Sequence, residues 1–441
     1  MQAAPHTADK DLSTRRQRIV IVGGGFAGTT LLKQLICRLP QGYEVLMISE
    51  ESYTTFNPML PEVVGASIFP EQVVAPIRVM FSPSAHVRFI MGQVTSVNAQ
   101  AKTLVCTSLH NDCEIAYEHL VLALGNRAML NLIPGMAEHG LPLKTVGDAM
   151  HIRNIVLRRI ARMELETDAQ KLKSLGHFVV IGGGFSGAEV AGELIDCLRS
   201  VQHYYPRVNP ADLSVTVLHD QDRMLLELPE YLGLAAAKSL RSRGVTILLG
   251  ANARAVEISD AHVKLTDGTV LLASTIITTI GTRPNALLAK LDLPLERGRL
   301  MAQSDFSVAG APNLWTLGDC AHVINGFDGK PCPPTAQFAV RQAKALAFNL
   351  VARIKGEPTQ AFSHKSLGSM AAIGHKKGVA SVFGFCVTGL PAWLIWRAYY
   401  LIQMPTLGRK VRIYLEWTWG MFFPADITHL RFTRSEDRDM Q

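Results

Sequence analysis

Short runs of apolar residues that end in glycines are the most regular feature of this sequence. Residues 18–28 read RIVIVGGGFAG, and residues 177–187 read HFVVIGGGFSG. An uninterrupted apolar run before a glycine-rich turn is typical of a buried parallel strand, and a helix-like segment follows each copy. The chain therefore carries an internal repeat of one strand–loop–helix unit.

Further apolar runs extend both copies into complete starts of βαβ units. A second buried strand is predicted at 44–50 after the first copy and at 213–219 after the second. Because strands alternate with helical segments, we predict an α/β fold with two Rossmann-like dinucleotide-binding domains, the second inserted in the first. The other predicted strands lie at 87–94, 103–108, 117–125, 275–281 and 313–319.

The composition suits a chain of two or three domains with some surface turned away from water. Of its 441 residues, 48% are hydrophobic and 18% are charged, whereas soluble domains have roughly a quarter charged residues. The net charge of +7 comes from scattered Lys and Arg, which favours an anionic cofactor or lipid over nucleic acid. No apolar run is long enough to predict a spanning helix, and residues 1–18 lack the apolar core of a secretory signal.

The cysteines do not form a recognisable motif. Their number is odd, they are spread along the chain and no CxxC is present, so neither a disulfide framework nor a metal site is predicted. This usage is typical of a reducing compartment. The seven are Cys37, Cys106, Cys113, Cys197, Cys320, Cys332 and Cys386.

The repeated loops have the glycine spacing that cradles a pyrophosphate. The first glycine makes the tight turn, the second lets the backbone approach the phosphates, and the third allows close packing of strand and helix. The helix that follows offers free N–H groups and a partial positive charge. The candidate nucleotide-binding residues are Gly23, Gly25, Phe26, Ala27 and Gly28 in the first loop, and Gly182, Gly184, Phe185, Ser186 and Gly187 in the second.

The ends of neighbouring strands supply further candidates. Glu50 ends the second strand of the first copy, where an acid holds ribose hydroxyls. In the second copy His219 stands where the acid is expected and Asp220 follows it, so NADPH stays open as a donor beside NADH. The alternative is that His219 is only a surface residue at a strand end. Gly125 and Gly281 end two later strands and are further cofactor-binding candidates.

Several motifs together resemble the type II NADH dehydrogenases, which are NADH:quinone oxidoreductases of the two-dinucleotide-binding flavoprotein superfamily. The resemblance extends from about Arg18 to Phe432, and the sequence PPTAQ at 333–337 is its most specific part. It implies an FAD-dependent peripheral (monotopic) enzyme on the cytoplasmic face of the cell membrane, which passes electrons from NADH to a membrane quinone without pumping protons. The motifs lie at 23–28, 52–61, 120–125, 133–135, 182–189, 316–319 and 333–337.

The resemblance also implies domain boundaries. Residues 18–150 and 295–364 would form a discontinuous FAD-binding domain, and residues 151–294 would form the NAD(P)H-binding domain. Residues 1–17 would be a flexible tail. Residues 365–441 would form a C-terminal region for membrane association or dimerisation.

Site residues are carried over from the same resemblance. Asp319 would contact the ribityl or phosphate part of FAD, with a helix N-cap as the alternative. Ala336 and Gln337, after Thr335, would lie beside the flavin ring and the quinone, and Gln337 would bond a quinone carbonyl. The family often has a glutamine four residues after this one, but here Arg341 occupies that position and Gln342 follows.

Two glutamates follow the second loop on one helix face. Glu189 matches a family glutamate that lies between flavin and nicotinamide, where burial would tune its pKa or let it orient the nicotinamide. Glu193 lies one turn further on the same face. The alternative for both is a solvated helix surface.

The C-terminal part concentrates aromatic residues and cations. Trp393, Trp396 and Tyr400 share one predicted helical face, and Arg409, Lys410 and Arg412 precede Trp417 and Trp419. This pattern predicts an in-plane anchor at a lipid bilayer surface. A homodimer interface is the alternative, because interfaces also favour Trp, Tyr and Arg.

Two other functions stay open at this point. A sulfide:quinone oxidoreductase would need cysteines near the flavin, and Cys320 and Cys332 are its candidates. A redox sensor or scaffold would bind both nucleotides with little turnover. A disulfide reductase is excluded, because residues 52–64 contain no cysteine.

Overall fold

The computed structural model describes residues 16–81, 84–108, 111–366, 368–424 and 426–429. Most of the predicted tail at 1–17, and the end of the resemblance at Phe432, lie outside these residues. The chain forms two compact units. Unit 1 comprises residues 1–54, 76–127 and 283–365, and unit 2 comprises residues 55–75, 128–282 and 366–441.

Helices occur along the whole length of the described residues. In chain order they are α1 (Phe26–Ile36), α2 (Leu60–Val64), α3 (Ile77–Phe81), α4 (Met136–His139), α5 (Val146–Met163), α6 (Ala169–Gly176), α7 (Phe185–Val201), α8 (Glu230–Arg241), α9 (Ala336–Lys355), α10 (Leu390–Gln403) and α11 (Leu407–Trp419).

The strands up to the middle of the chain are β1 (Gln17–Val22), β2 (Tyr43–Ser49), β3 (Tyr53–Thr55), β4 (Val74–Pro76), β5 (Val87–Met91), β6 (Gln93–Asn98), β7 (Thr103–Ser108), β8 (Asn111–Ala116), β9 (His119–Leu122), β10 (Asn126–Ala128), β11 (Gly140–Pro142), β12 (His177–Ile181), β13 (Ser214–His219) and β14 (Val245–Leu249). Those that follow are β15 (Ala255–Ile258), β16 (His262–Leu265), β17 (Val270–Leu272), β18 (Thr275–Thr278), β19 (Thr282–Pro284), β20 (Leu295–Glu296), β21 (Arg299–Met301), β22 (Ser307–Val308), β23 (Ala311–Thr316), β24 (Ala321–His322), β25 (Gly368–Ala372), β26 (Gly378–Val382) and β27 (Phe385–Thr388).

Unit 1 is built on a six-stranded sheet in the order β22-β23-β9-β1-β2-β5. Its β1, β2, β5, β9 and β23 run parallel, and β22 is antiparallel at one edge. Ile19 and Ile21 point from β1 into one buried cluster with α1 and α9, and Val20 and Val22 point into another. A sheet that is buried on both faces explains why its central strand is an unbroken apolar run.

Unit 2 repeats this arrangement with a five-stranded parallel sheet in the order β11-β18-β12-β13-β14. In both units the strand before the glycine loop lies centrally, between the next strand of the βαβ unit and a later strand. The predicted α/β fold with two dinucleotide-binding domains is confirmed.

The predicted strand at 87–94 is two strands. Gly92 separates β5, which joins the main sheet, from β6, which begins the antiparallel meander β6-β7-β8. A Cβ at Gly92 would lie 2.7 Å from Cys106 Sγ, so the turn needs a glycine.

The unit boundaries differ from the predicted domains at four places. Residues 283–294 belong to unit 1, although the sequence placed them in the NAD(P)H-binding domain. Residues 55–75, 128–150 and 366–441 belong to unit 2, although the sequence placed the first two in the FAD-binding domain and the third in a separate region. Hydrogen bonds to the segment after β25 attach the C-terminal part to unit 2. Arg243, after α8, donates from Nη1 to the Gly192 carbonyl on α7 and from Nη2 to the Ile373 carbonyl.

A close backbone approach strengthens this junction. A Cβ at Gly192 would lie 2.2 Å from the Ile373 carbonyl oxygen, so α7 and the C-terminal segment meet where only glycine fits. Asp196, one turn along α7, accepts from Arg243 Nη1 at 2.8 Å and from His375 N at 2.7 Å. The C-terminal segment is therefore an integral part of unit 2.

Candidate functional site

The glycines of the unit 1 loop are required by close contacts. Gly23 has φ +118°, and a Cβ there would lie 2.2 Å from the Ala123 carbonyl oxygen. A Cβ at Gly28 would lie 1.9 Å from the Gly23 carbonyl oxygen, so any side chain would separate α1 from the loop. Gly25 has no atom within 4 Å of the same position, which leaves the loop open at its centre.

The unit 2 loop has the same geometry. Gly182 has φ +117°, and its Cβ would lie 2.5 Å from Thr279 Oγ1. A Cβ at Gly187 would lie 1.8 Å from the Gly182 carbonyl oxygen, whereas Gly184 again has open space. The first and third glycines therefore hold each loop together, and the second faces outward.

The helices after both loops begin without a side-chain cap. The N-caps of α1 and α7 are Gly25 and Gly184, and neither first turn contains an acid. By contrast, α5 begins with a reciprocal cap between Thr145 and Asp148. Helix ends without a cap or an acid leave donors and positive potential for an anion, so both loops fit a dinucleotide pyrophosphate.

The remaining loop residues lie at the starts of the two helices. Ala27 is buried against the sheet of unit 1, and Phe26 and Phe185 are half-buried. Ser186 is exposed in the first turn of α7. These positions leave the central glycines accessible.

Gly125 and Gly281 occupy equivalent positions three residues beyond β9 and β18. Both have positive φ, +61° and +72° respectively. Because β9 and β18 pair with the strands that precede the two loops, these turns follow neighbouring strands of the same sheets.

The strand registers correct the assignment of the acid in the second copy. Gly23 N donates to the Ile48 carbonyl in unit 1, and Gly182 N donates to the Leu218 carbonyl in unit 2. Counting two residues onward from each acceptor makes Asp220 the counterpart of Glu50. The prediction that His219 stands in the acid's place is therefore wrong, because the exact register could not be read from sequence.

His219 has a packing role instead. A Cβ at Gly183 would lie 2.6 Å from its ring, so the half-buried imidazole packs directly against the loop. Burial lowers the pKa of His219, while Asp220 and Glu227 oppose the shift. Asp220 and Glu50 are both exposed at their strand ends, and Glu50 forms an ion pair with Arg127.

Asp319 lies in a single 3-10 turn, Gly318–Cys320, directly after β23. Leu317 is the N-cap of this turn, so Asp319 does not have the alternative N-cap role. Gln342, buried on α9, accepts from Gly318 N at 2.7 Å and fixes the turn. Asp319 itself is half-buried.

The PPTAQ segment forms the start of α9. Thr335 is the N-cap, and its Oγ1 accepts from Phe338 N at 3.4 Å. Ala336 and Gln337 are half-buried in the first turn. Arg341 is half-buried one turn later, whereas the glutamine beside it, Gln342, is committed to Gly318.

Glu189 and Glu193 are both buried, so the alternative of a solvated helix surface is wrong. Glu189 Oε1 accepts from Ala372 N at 3.1 Å, and Glu193 Oε2 accepts from Ser67 Oγ at 2.5 Å. Burial raises the pKa of Glu189 well above its ordinary value. Burial, with the nearby charge of Glu62, raises the pKa of Glu193 to about 8.

A third buried carboxylate, Glu62 on α2, was missed by the sequence analysis. Its Oε2 accepts from Trp417 Nε1 at 2.9 Å, and its Oε1 lies 3.6 Å from Arg397 Nη2. The Arg397 guanidinium also lies over the rings of Trp393 and Trp417, at 3.7 and 4.7 Å from their centroids. The available signals were one acid inside the apolar sequence LPEVV and one cation inside the apolar α10.

These residues form the buried carboxylate cluster of unit 2, namely Glu62, Glu189, Glu193 and Arg397. Only one of its members is a cation, and burial lowers the pKa of that guanidinium while Glu62 opposes the shift. Since buried charges need a partner, Glu62 is the carboxylate that Arg397 balances. Burial and the neighbouring carboxyls therefore favour the protonated forms of Glu189 and Glu193.

A second prediction, that the C-terminal aromatic residues form a surface anchor, is corrected by their burial. Trp393, Trp396 and Trp417 are at most 4% exposed, so they anchor α10 and α11 to unit 2 and do not form a surface. The exposed apolar row of α11 lies on its other side. It consists of Leu407, Val411, Leu415 and Trp419, four residues apart, with Tyr414 beside them.

No helix of the described residues combines the length and apolar character needed to cross a bilayer. The two cysteines considered for sulfide chemistry are core residues of unit 1. Cys320 Sγ donates to the carbonyl oxygens of Leu122 and Leu317, and burial raises its pKa. Burial also raises the pKa of Cys332, to about 11.

Two parallel sheets that each carry an open glycine loop define an oxidoreductase of the two-dinucleotide-binding class. The chain belongs to the pyridine nucleotide-disulphide oxidoreductase family, whose model matches residues 17–343.

Individual relatives have more specific names than the family as a whole. The type II NADH:quinone oxidoreductase of Mycobacterium tuberculosis is 28% identical, with 92% of this chain and 88% of the relative covered. The demethylphylloquinone reductase of Synechocystis is 26% identical, with 92% and 96% covered. The structure of NDH2 from Plasmodium falciparum in complex with NADH has a TM-score of 0.86 at 18% identity, covering 94% of this chain and all of that one. The predicted resemblance to type II NADH dehydrogenases is confirmed.

Protonation of Glu193 makes the stability of the protein depend on pH. A folded-state pKa of about 8, against an ordinary 4.5, means that the folded chain binds the extra proton. Stability is then fully present below about pH 4.5 and is lost as the pH rises towards 8. Between pH 5 and pH 8 the contribution of Glu193 should fall by roughly 3–4 kcal/mol, and Glu193→Gln should remove that part of the pH dependence.

Chemical denaturation of the FAD-loaded protein at both pH values, followed by circular dichroism, measures this difference. Glu230→Gln, a change at an exposed glutamate of α8, is the matched control and should keep the wild-type pH dependence. An unchanged pH dependence in Glu193→Gln would show that Glu193 is ionised throughout the range.

Proposed function

We propose that this chain is an NADH:quinone oxidoreductase that binds FAD on unit 1 and NADH on unit 2, and reduces a membrane quinone without pumping protons. The observation that carries the proposal is the presence of two open glycine loops of the same geometry, one in each unit, each before an uncapped helix. The names of the relatives support the same reaction.

FAD would be held by Gly23, Gly25 and Gly28 at its pyrophosphate, by Glu50 at a ribose and by Asp319 near the ribityl chain. NADH would be held by Gly184 and the neighbouring glycines of the unit 2 loop. Bound FAD would supply the hydride and electron-transfer chemistry, which the side chains do not supply. The side chains would bind and orient the two nucleotides and exclude water from them.

Glu189 is the proposed orienting residue of the nicotinamide site. Its Oε1 accepts from Ala372 N, which leaves Oε2 as the oxygen that a neutral carboxyl would use to donate to the bound nicotinamide. A neutral carboxyl avoids placing a second buried negative charge beside Glu62 and Glu193. Burial, with Glu62 and Glu193 nearby, raises the pKa of Glu189 and so favours the donor form.

Gln337 is the proposed quinone contact. It lies in the first turn of α9, and its amide offers both donors and an acceptor to a quinone carbonyl. Gln342 does not serve this purpose, since it accepts from Gly318 N. Arg341 lies four residues after Gln337 on α9, so a cation is present in the same part of the helix.

Flavin absorbance tests the proposed reaction. Under anaerobic conditions, NADH should bleach the flavin of the purified protein, and a short-chain quinone should restore it. Glu189→Gln, which keeps a donor, should bleach at a rate within about threefold of wild type, whereas Glu189→Ala should slow bleaching at least tenfold with FAD still bound. Stopped-flow spectroscopy measures each step.

Two results would contradict the proposal. Bleaching by sulfide and not by NADH would favour a sulfide:quinone oxidoreductase. Failure of all donors to bleach the flavin would favour a redox sensor or scaffold.

The acid at the end of β13 determines the choice of nicotinamide cofactor. Asp220 is exposed at the strand end proposed for the ribose hydroxyls, where its charge would repel a 2'-phosphate. Arg223 is the nearby cation, but it donates to the carbonyl oxygens of Leu225 and Leu226, both at 3.1 Å. We therefore propose that NADH is preferred over NADPH.

Asp220→Asn should raise kcat/KM for NADPH relative to NADH by about tenfold, because one repulsive charge is removed. Steady-state kinetics with both cofactors measures the ratio. Asp260→Asn, which removes an exposed charge from the turn between β15 and β16, is the control. An unaltered ratio in Asp220→Asn would remove Asp220 from the cofactor site.

Membrane attachment is proposed for the exposed row of α11. Leu407, Val411, Leu415 and Trp419 form an apolar stripe, and Arg412 is exposed beside it. A helix with an apolar stripe and flanking cations lies in the plane of an anionic bilayer surface. The protein would thereby be peripheral on the cytoplasmic face, while a homodimer contact through the same row is the alternative.

Leu415→Glu should reduce co-sedimentation with anionic lipid vesicles by at least about fivefold, because a charge would enter the apolar layer. Leu234→Glu is the matched control, since Leu234 is 56% exposed on α8 and Leu415 is 60% exposed on α11. Unchanged sedimentation of Leu415→Glu, with a shift from dimer to monomer in light scattering, would favour the dimer contact.

A further inference from the structure

Two cysteines of unit 1 face each other across neighbouring strands. In the antiparallel pair β7 and β8, Cys106 is directly opposite Cys113, two positions from the opposed pair Leu104 and Ile115. Leu104 and Ile115 are both buried, and side chains two positions apart on a strand lie on the same face. Both cysteines therefore point to the core side of the meander.

Opposed residues of antiparallel strands have the spacing that a disulfide needs. Their Cα atoms are about 4.5–5.5 Å apart, and disulfides join Cα atoms about 4.4–6.8 Å apart. Cys113 lies close enough to Cys106 to contribute, after burial, to the raised pKa of the Cys106 thiol. The spacing of opposed residues is therefore compatible with a disulfide between Cys106 and Cys113.

The two thiols differ in accessibility. Cys113 is exposed, whereas Cys106 is 1% exposed and its Sγ packs against the backbone at Gly92. An oxidant in solution therefore reaches Cys113 first, and Cys106 is held in place as its neighbour. Such an exposed thiol beside a resolving thiol is the arrangement of a reversible oxidation site.

We propose that Cys106 and Cys113 are a redox modification site that hydroperoxides convert to a cross-strand disulfide. The Cys113 thiolate attacks the peroxide, so an S–O bond forms, the O–O bond breaks and an alcohol or water leaves with a proton. The Cys106 thiol then attacks the oxidised sulfur, so the S–S bond forms, the S–O bond breaks and water leaves. The two thiols lose two electrons and the peroxide gains them.

The pair lies next to a recess of unit 1. Thr107 and Ser108, which follow Cys106, line a cavity of about 360 Å³ together with Gly92 and Glu50. A disulfide would tie β8 to the strand that forms this wall. The oxidation site is thus adjacent to the end of β2, although its chemistry does not depend on what the recess binds.

Peptide mass spectrometry of the full-length, FAD-loaded protein tests the proposal. Trypsin leaves both cysteines in residues 103–127, and cleavage before Asp112 separates them. After treatment with hydrogen peroxide and alkylation, the peptides 103–111 and 112–127 should be joined, and dithiothreitol should release them.

Variants distinguish the two roles. Cys113→Ser should leave Cys106 reduced, and Cys106→Ser should leave a sulfenic acid at Cys113 that dimedone traps. Cys386→Ser is the matched control, because Cys386 is also exposed on a hairpin strand but faces Ser381; it should still form the joined peptides. Full alkylation of both Cys106 and Cys113, at a peroxide concentration that oxidises Cys386, would overturn the proposal.

Discussion

The structure depends on one repeated contact, in which the helix after each glycine loop packs directly on the carbonyl of the loop's first glycine. A Cβ at Gly28 or Gly187 would come within 2 Å of that oxygen, so no other residue allows the helix to begin there. This contact places the helix end against the open centre of the loop. Because it occurs once in each unit, the chain has two equivalent places for a dinucleotide, and the proposed use of FAD and NADH follows from that duplication.

The sequence was most informative where function depends on local spacing. The glycines of both loops, and the parallel strands before them, could be predicted because a strand, a turn and a helix are adjacent along the chain. The prediction was wrong where the position of a residue depends on strand register or on which face of a helix points inward. Helical periodicity grouped Trp393 with Trp396 correctly, but it could not tell that this face packs inward. Asp220 was identified as the counterpart of Glu50 only by the hydrogen bond that fixes the loop to its strand.

The buried carboxylate cluster could not have been predicted, since Glu62, Glu193 and Arg397 are far apart in the sequence. Folding brings α2, α7 and α10 of unit 2 together, and a single guanidinium then balances one of three carboxyls. Burial, with the nearby carboxyls of Glu62 and Glu193, raises the pKa of Glu189. The C-terminal segment that carries the exposed row of α11 thus also contributes Arg397 to the buried cluster around Glu189.

Nucleotide binding by variants of the two central glycines tests the duplication most directly. Gly25 and Gly184 have ordinary negative φ and no atom within 4 Å of an added Cβ, so valine is compatible with the fold at either position. We expect Gly184→Val to keep FAD but to weaken NADH binding at least tenfold by calorimetry, and Gly25→Val to lose FAD while NADH still binds. Loss of FAD from Gly184→Val, or full binding of both nucleotides by both variants, would contradict it.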